Sequence, residues 1–428
     1  MNISPARTAA FDVLIRIGRD RAFSSALLPE YEKSLDSRDA ALCHEIVSGV
    51  LRRQLYLDKV IDHFAKGKKL DQEVRIACRI GLFQIQFLDR VPEHSIVNES
   101  VNLAIRARKT SAKGFVNAFL RRSNREQSVF KFASEKERIS INTSHPMWLI
   151  DRWERQFGLE TAEAIAVANN DRLPAAFRTT AKTDQQALNE IERFDRSNFV
   201  ANCYFADKFT DSLKQLFQEG KIYFQDEGSQ LVGASITLTD KARLLDVCSA
   251  PGGKTAQIIG ANPNAILVAA DRSFSRLEHM RRSLDLQSVD RPSITQLDAE
   301  KELPFEDKSF DTVFVDAPCT GTGTIRSNPE LRYLIGSQDI TDKTVKQRKI
   351  LQNASKMVRN GGELIYCTCS LETEENEVVV EEFLKSHREF GIERPEFAER
   401  FITSEGFVRI FPHRDRMDGF FLARLKRG

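Results

Sequence analysis

A glycine turn lies in the stretch Asp246-Val247-Cys248-Ser249-Ala250-Pro251-Gly252-Gly253-Lys254-Thr255, within and just after the strand-like run Arg243 to Cys248. Gly252 and Gly253 let the backbone approach a ligand closely, and the N-terminus of a following helix offers N–H groups that lack intrahelical partners. The stretch is not the phosphate loop G-x-x-x-x-G-K-[ST], because Cys248 stands where that motif has its first glycine. The pattern predicts a turn that admits a nucleotide-containing cofactor.

The region around this turn has the pattern of an α/β sheet. After Gly228, strand-like and helical segments alternate at intervals of about 20 to 30 residues, which is typical of a parallel sheet covered on both faces. We predict strands at Arg243 to Cys248, Ile266 to Ala270, Ser293 to Leu297, Thr312 to Val315, Glu363 to Cys367 and Phe420 to Leu425. The expected fold class of residues 228–428 is therefore α/β, with a Rossmann-like sheet.

The preceding residues divide into three parts. Residues 1–125 have helical apolar spacing and no strand signals, which predicts a bundle of six or seven helices. Residues 126–141 are polar and charged and are expected to form a connector. Residues 142–227 are expected to form a small α+β subdomain, with strands at Ala175 to Thr179 and Lys221 to Gln225 and a helix at Gln185 to Arg193 between them.

Charge is distributed unevenly along the chain. Residues 1–125 carry 22 Lys and Arg against 14 Asp and Glu, a net charge of +8. Since the formal net charge of the whole chain is +2, the remaining residues carry a net charge of −6. A basic region attracts a polyanion such as a nucleic acid, although a solvated basic surface has the same composition. Charge alone leaves both readings open.

The cysteines and the apolar runs indicate the class of protein. Seven cysteines are an odd number spread through a long chain, which is unlike a secreted disulfide framework. No uninterrupted apolar run of membrane-spanning length occurs, and residues 1–7 lack the apolar core of a signal peptide. We expect a cytoplasmic protein that does not enter a membrane, and we expect it to be a monomer.

Four aspartates lie at or near the ends of the first four predicted strands, namely Asp246, Asp271, Asp298 and Asp316. Ligands of an open parallel sheet bind beyond the carboxyl ends of its strands, so these acids mark one site. Asp271 is placed to accept both hydroxyls of a ribose, as a dinucleotide or S-adenosylmethionine would require. Because four acids favour a cationic cofactor over a pyrophosphate, S-adenosylmethionine is the preferred prediction, and a purely structural turn is the alternative.

Two cysteines lie just past predicted strands: Cys319 in Asp316-Ala317-Pro318-Cys319-Thr320-Gly321-Thr322-Gly323, and Cys369 in Tyr366-Cys367-Thr368-Cys369-Ser370. Free cysteines are usually small buried hydrophobes, but these two are surrounded by Pro, Thr, Ser and Gly. A thiolate can add to carbon 6 of cytosine and so make carbon 5 nucleophilic, and Asp316 is placed to hold ring nitrogen 3. No second cysteine pair has the spacing of a zinc site, so we expect no metal.

With these motifs, residues 228–428 resemble the RNA 5-methylcytosine methyltransferases, and residues 1–125 resemble the NusB-type helical RNA-binding domain. The resemblance implies that the Asp246 to Thr255 stretch is the S-adenosylmethionine loop. The basic helical domain and the small subdomain at residues 142–227 are then expected to bind the flanking RNA, mostly through its phosphates. The cofactor-binding residues it implies are Cys248, Ser249, Ala250, Pro251, Gly252, Gly253, Lys254, Asp271, Arg276, Asp298 and Asp316.

The resemblance also assigns the chemistry. It implies methylation of carbon 5 of a cytosine in 16S ribosomal RNA, with Cys369 as the nucleophile, Cys319 as the thiol that assists product release, and Asp316 as the third catalytic residue. Cys367 departs from the more usual Ala or Ser before Thr-Cys-Ser, and it brings a third thiol near the site. A transfer RNA substrate, or a non-catalytic RNA-binding assembly or antitermination factor, remains as an alternative.

Overall fold

The computed structural model describes residues 3–126, 129–191, 193–289 and 292–428. Contacts divide the chain into two compact units. The helical unit contains the residues up to Asp171 together with Ile325–Ile335, and the sheet unit contains Arg172–Thr324 and Gly336–Gly428. The division falls between Asp171 and Arg172, whereas the sequence predicts a boundary at residue 142. Within the described ranges, no helix is both long and apolar enough to cross a membrane.

The helical unit begins with seven α-helices, which agrees with the six or seven expected. They are α1 (Pro5–Asp20), α2 (Ser24–Glu32), α3 (Ser37–Arg52), α4 (Gln54–Ala65), α5 (Gln72–Phe87), α6 (Glu93–Arg106) and α7 (Lys113–Arg125). Their apolar faces form one buried core that includes Val13, Ile46 and Val60. Pro5 is the first residue of α1, a position that needs no N–H donor.

Part of the expected connector is helical. The residues Glu135–Thr143 form α8, followed by α9 (Met147–Phe157) and α10 (Leu159–Ala168). Ser134 caps α8 by accepting a hydrogen bond from the Glu137 N–H at 3.1 Å, and Ile139 is fully buried. The N-terminal cap and the burial of Ile139 stabilise α8 within the folded unit, although the segment is mostly polar. Residues 127 and 128 of the expected connector lie outside the described residues.

A segment from the second half of the chain, Ile325–Ile335, completes the helical unit. It contains α16 (Leu331–Leu334). Arg332 is fully buried and donates to the backbone oxygen of Ser144 at 3.4 Å. The carboxylate of Glu330, also fully buried, accepts a hydrogen bond from the Ser24 N–H at 2.7 Å. Buried charges need such hydrogen-bond partners, so this segment is integrated into the core of the helical unit.

The sheet unit opens with a small antiparallel sheet of order β2-β3-β1-β4. Its elements are β1 (Ala175–Thr179), α11 (Gln185–Asn189), β2 (Asp195–Arg196), β3 (Cys203–Ala206), α12 (Asp211–Gln218) and β4 (Ile222–Phe224). The strands predicted at both ends of this region are present. The predicted helix ends four residues early, at Asn189, and Glu192 lies outside the described residues. The strands β2 and β3 and the helix α12 are additional.

The large sheet has the order β10-β12-β9-β8-β5-β6-β7, and β11 pairs with β12. Its elements, with the helices between them, are α13 (Glu227–Ala234), β5 (Arg243–Asp246), α14 (Gly253–Ala261), β6 (Ile266–Asp271), α15 (Phe274–Leu286), β7 (Ser293–Gln296), β8 (Phe310–Asp316), α17 (Ser337–Met357), β9 (Val358–Thr368), α18 (Glu377–Ser386), β10 (Phe390–Ile392), β11 (Val408–Ile410), α19 (Pro412–Asp415) and β12 (Phe420–Arg427). All six predicted strands are present. The five from β5 to β9 are parallel, whereas β12 runs antiparallel to β9.

Helices cover both faces of this sheet, as the alternation of its side chains requires. Leu245 and Val313 pack on one face in a core that also contains Leu351 from α17. Leu244 and Phe314, one residue away on the same strands, pack in a second core on the opposite face. The two cores hold the parallel strands so that their carboxyl ends share one edge.

Candidate active site

The predicted site residues meet at the carboxyl edge of the large sheet. Asp246, Asp271 and Asp316 are the last residues of β5, β6 and β8. Asp298 lies two residues after the end of β7, and Cys369 directly follows the end of β9. Since these strands are parallel neighbours, one sheet edge carries residues that are far apart in sequence.

The glycine loop joins β5 to α14 through a backbone conformation that only glycine adopts readily. Gly252 has a φ of +97°, and a Cβ added there would lie 2.3 Å from Cγ of Met280. Gly252 is the N-cap of α14 and supplies no capping side chain, so the first N–H groups of the helix are available to a ligand. The peptide bond between Ala250 and Pro251 is cis.

Asp246 holds the loop from within the core. Its carboxylate accepts hydrogen bonds from Thr255 Oγ1 at 2.8 Å and from the Cys248 N–H at 3.3 Å. Burial raises the pKa of this carboxyl to about 7, against the opposing effect of the Thr255 hydrogen bond. Asp246 therefore titrates near neutral pH.

Asp271 and Asp298 lie on the next two strands. Asp271 accepts a hydrogen bond from the Ser273 N–H at 2.8 Å, and its other oxygen lies 3.4 Å from an Arg276 nitrogen. Arg276 also donates to the backbone oxygen of Ala250, so it links the second strand end to the glycine loop. Asp298 accepts a hydrogen bond from the Glu300 N–H at 3.1 Å.

Lys254, the second residue of α14, connects the glycine loop to Asp316. Its Nζ lies 2.8 Å from Oδ2 of Asp316 and 5.0 Å from the ring centre of Phe420. Burial disfavours the ammonium, but the charge of Asp316 raises the pKa of Lys254 above its ordinary value. The lysine is charged, and the cation lies near the cysteines.

The two candidate cysteines are in contact, with a distance of 3.3 Å between the sulfur atoms of Cys319 and Cys369. The hydrogen bond to Cys369, followed by burial, raises the pKa of Cys319 well above its ordinary value. Burial also raises the pKa of Cys248 and of Cys367, whose sulfur lies 3.6 Å from Oδ1 of Asp316. These three side chains are neutral thiols at neutral pH, and Cys319 is placed to exchange a proton with Cys369.

The structure adds residues that the sequence does not single out. Tyr223, Phe224 and Gln225, in or just after β4, form part of the cleft wall together with the glycine loop. Arg178 of β1 supports that wall, because it donates to Gln225 Oε1 at 3.1 Å and lies 4.8 Å from the ring centre of Tyr223. The small antiparallel sheet thus builds one side of the cleft, where the sequence indicates only an RNA-binding role. The apolar and aromatic side chains of Ile222-Tyr223-Phe224 predict a strand, but they do not indicate that this strand borders the cleft.

The cleft fits S-adenosylmethionine chemically. The uncapped N-terminus of α14 suits the carboxylate of its amino acid part. The buried acid at the end of β6 suits a ribose diol, and the acids around the cleft suit a molecule that carries a sulfonium and an ammonium. No feature of the cleft resembles a pyrophosphate cradle of the G-x-G-x-x-G type.

Comparison with known proteins identifies the family. Residues 234–426 match the family described as 16S rRNA methyltransferase RsmB/F, and residues 4–125 match the NusB family. A probable ribosomal RNA small subunit methyltransferase B of Bacillus subtilis is 30% identical over 100% of both chains, and the methyltransferase B of Erwinia tasmaniensis is 30% identical over 94% of both. A solved structure of PH0851 superposes over 100% of both chains with a TM-score of 0.84 at 25% identity. The chain therefore belongs to the ribosomal RNA small subunit methyltransferase B family, the Sun or Fmu type of RNA methyltransferase, and uses S-adenosylmethionine.

Proposed function

We propose that this methyltransferase modifies carbon 5 of a cytosine in 16S ribosomal RNA through a covalent adduct with Cys369. The observation that carries the proposal is the 3.3 Å contact between the sulfurs of Cys369 and Cys319, just past the ends of two parallel strands. A methyltransferase that acts on an oxygen or an exocyclic nitrogen needs no thiol, whereas carbon 5 of cytosine must first be activated by a nucleophile at carbon 6. Two thiols in contact at the sheet edge that carries Asp316 support the carbon reaction.

The side chains divide the steps between them. The Cys369 thiolate forms a bond to carbon 6, the 5,6 electron pair shifts into the 4,5 bond, and the 3,4 pair moves onto nitrogen 3, which takes a proton from solvent. The Asp316 carboxylate accepts a hydrogen bond from that N–H. S-adenosylmethionine supplies an electrophilic methyl group for carbon 5. A base then removes the hydrogen from carbon 5, the double bond reforms, and the Cys369 thiolate leaves. The raised pKa of Cys319 keeps its thiol protonated at neutral pH, so at 3.3 Å it can donate a hydrogen bond to the departing Cys369 sulfur and assist its release.

The remaining parts bind and orient. Lys254 holds Asp316 next to the glycine loop through their 2.8 Å ion pair. The residue proposed to bind the cytosine is therefore connected directly to the loop that binds the cofactor. The target base must leave its stack to present carbon 6 to a thiolate, so an unpaired or extruded cytosine is the expected substrate. The basic helical unit is proposed to hold the flanking RNA through its phosphates.

Exchange of single thiols tests the chemistry. We expect Cys369→Ala to abolish methyl transfer, and Cys319→Ala to accumulate a protein–RNA adduct that survives a denaturing gel. Cys43→Ala is the control, because Cys43 is buried in the helical unit and its pKa is raised to about 12 by burial. Adduct accumulation in Cys369→Ala instead would reverse the two roles, and methylation by a variant that lacks both thiols would refute the covalent mechanism.

The substrate class has its own test. Bisulfite sequencing of total RNA from cells with and without the protein should show one or more cytosines of 16S ribosomal RNA that lose protection in its absence. Loss of protection in transfer RNA alone would move the reaction to that substrate. Unchanged maps together with no calorimetric binding of S-adenosylmethionine would favour a non-catalytic RNA-binding factor.

A further inference from the structure

A buried carboxylate, Glu375, connects the two loops that carry the active-site thiols. It is the last residue of the short 3-10 helix Thr373–Glu375 and is fully buried. Its Oε1 accepts the Thr320 N–H at 2.9 Å, and its Oε2 accepts the hydroxyl of Ser370 at 2.5 Å and that of Thr320. Gln347 of α17 adds a fourth donor at 3.0 Å.

The positions of these donors in the chain are informative. Thr320 directly follows Cys319, and Ser370 directly follows Cys369. The Ser370 hydroxyl also lies 3.3 Å from the Thr320 hydroxyl, so both loops converge on one carboxylate. The main chain of Glu375 takes part as well, since its carbonyl oxygen accepts the Tyr366 hydroxyl at 2.6 Å.

No ion pair compensates for the burial of the Glu375 carboxylate within the described residues. Over the described residues, no Lys, Arg or His side chain forms an ion pair with Glu375. Burial raises its pKa, and the hydrogen bonds from Ser370, Thr320 and Gln347 act in the opposite direction. A carboxylate offers two acceptor oxygens with about four lone-pair sites, whereas an amide in the same place offers one oxygen and presents two donors to its neighbours. Only an ionised carboxylate can accept all four hydrogen bonds at this position.

We propose that Glu375 is a positioning residue that sets the separation of the Cys319 and Cys369 thiols by binding the residue that follows each of them. The proposal rests on the function proposed above, in which both thiols act on one cytosine. A nucleophile and a proton donor must reach the same sulfur–carbon bond, and misplacement by about 1 Å costs about a hundredfold in rate. Glu375 therefore acts through the two loops and touches neither substrate nor cofactor.

The first test needs no RNA. Phenylarsine oxide condenses with two thiols near van der Waals contact, forming two arsenic–sulfur bonds and releasing one water. We expect it to bridge Cys319 and Cys369 in the unmodified protein, and to bind Glu375→Gln about tenfold more weakly because the pair is no longer preorganised. Glu377→Gln is the matched control, since Glu377 pairs with Arg409 at 2.6 Å and, within the described residues, forms no hydrogen bond with Thr320 or Ser370.

The second test is kinetic. In single-turnover methylation, Glu375→Gln should lower the rate about a hundredfold, while the dissociation constants of RNA and S-adenosylmethionine change less than about twofold. Ser370→Ala and Thr320→Val each remove one hydroxyl donor and should give smaller losses of the same kind, which keeps the test valid if Glu375→Gln does not fold. Melting temperatures establish that the compared variants are folded.

The two hypotheses fail separately. Tight arsenical binding that is unaltered in folded Glu375→Gln would overturn the positioning role, whatever the methylation assay shows. If Glu375→Gln binds the arsenical more weakly than the unmodified protein, Glu377→Gln binds it as tightly, and no RNA is methylated, the positioning role stands and the proposed reaction is refuted. Cys319→Ala should lose bridging altogether, which identifies the pair being measured.

Discussion

Replacement of Asp246 by asparagine should change how stability depends on pH. Asp246 is 1% exposed, and burial raises the pKa of its carboxyl from 3.8 to about 7. Between these values the unfolded chain has lost the proton and the folded chain retains it, so the free energy of unfolding falls as the pH rises. One pKa unit corresponds to about 1.36 kcal/mol, so the whole elevation corresponds to about 4 kcal/mol, lost by pH 7 and above.

The asparagine variant has no carboxyl to titrate at this position. The variant's free energy of unfolding minus that of the unmodified protein should therefore rise by about 2 kcal/mol between pH 5 and pH 7 and level off by about pH 8. Other carboxyls titrate in both proteins and cancel in this difference. The prediction concerns the slope. The amide has one acceptor oxygen, so either the Cys248 N–H or the Thr255 hydroxyl loses its acceptor, and that loss shifts all values by a constant.

Urea unfolding followed by circular dichroism at pH 5, 6, 7 and 8 measures this difference. Tryptophan fluorescence is unsuitable, because Trp148 and Trp153 both lie in the helical unit. Asp240→Asn is the control at an exposed position. A difference between Asp246→Asn and the unmodified protein that stays constant from pH 5 to pH 8 would refute the reasoning, because it would place the folded-state pKa near its ordinary value.

Three further substitutions have expected outcomes. Gly252→Ala should weaken S-adenosylmethionine binding by about tenfold or more in calorimetry, because φ is +97° and the new Cβ would meet Met280 at 2.3 Å; unchanged affinity would contradict this. Lys254→Met leaves Asp316 without its 2.8 Å partner and should lower the free energy of unfolding by about 2 kcal/mol in urea, whereas an unshifted midpoint would show that the pair adds nothing. Arg332→Met removes a buried guanidinium from the helical unit and should cost about 3–5 kcal/mol in the fluorescence-monitored transition, and a loss below about 1 kcal/mol would count against its structural role.

The strand-end acids are predictable from the sequence because two short-range patterns coincide. A short apolar run such as Leu244-Leu245 is typical of a buried strand, and the charged residue that follows it indicates where the strand ends. Parallel strands then gather these acids at one edge without further information. The expected positions of Asp246, Asp271 and Asp316 follow from this argument, and the structure places each at the end of its strand.

Other features depend on tertiary contacts that leave no local pattern. Glu375 lies in the run Glu372-Thr373-Glu374-Glu375-Asn376-Glu377, where the sequence does not distinguish the carboxylate that binds both cysteine loops from the other acids. The helix α8 has a cap at Ser134 but few apolar residues, so its stability comes from packing by Ile139. The residue roles assigned to Cys369 and Cys319 come from family resemblance, and they stay predictions until the variants are assayed.

The segment Ile325–Ile335 affects the order in which the protein can fold during its synthesis. Arg332 and Tyr333 both donate to the backbone oxygen of Ser144, a residue that left the ribosome almost 200 positions earlier. A nascent chain grows N-terminal first at about 5–20 residues per second, so the helical unit waits roughly ten seconds or more for its last donors. During that interval its buried carbonyls must be met by water or by a chaperone, and a chain cut after Asp171 remains in that unfinished state.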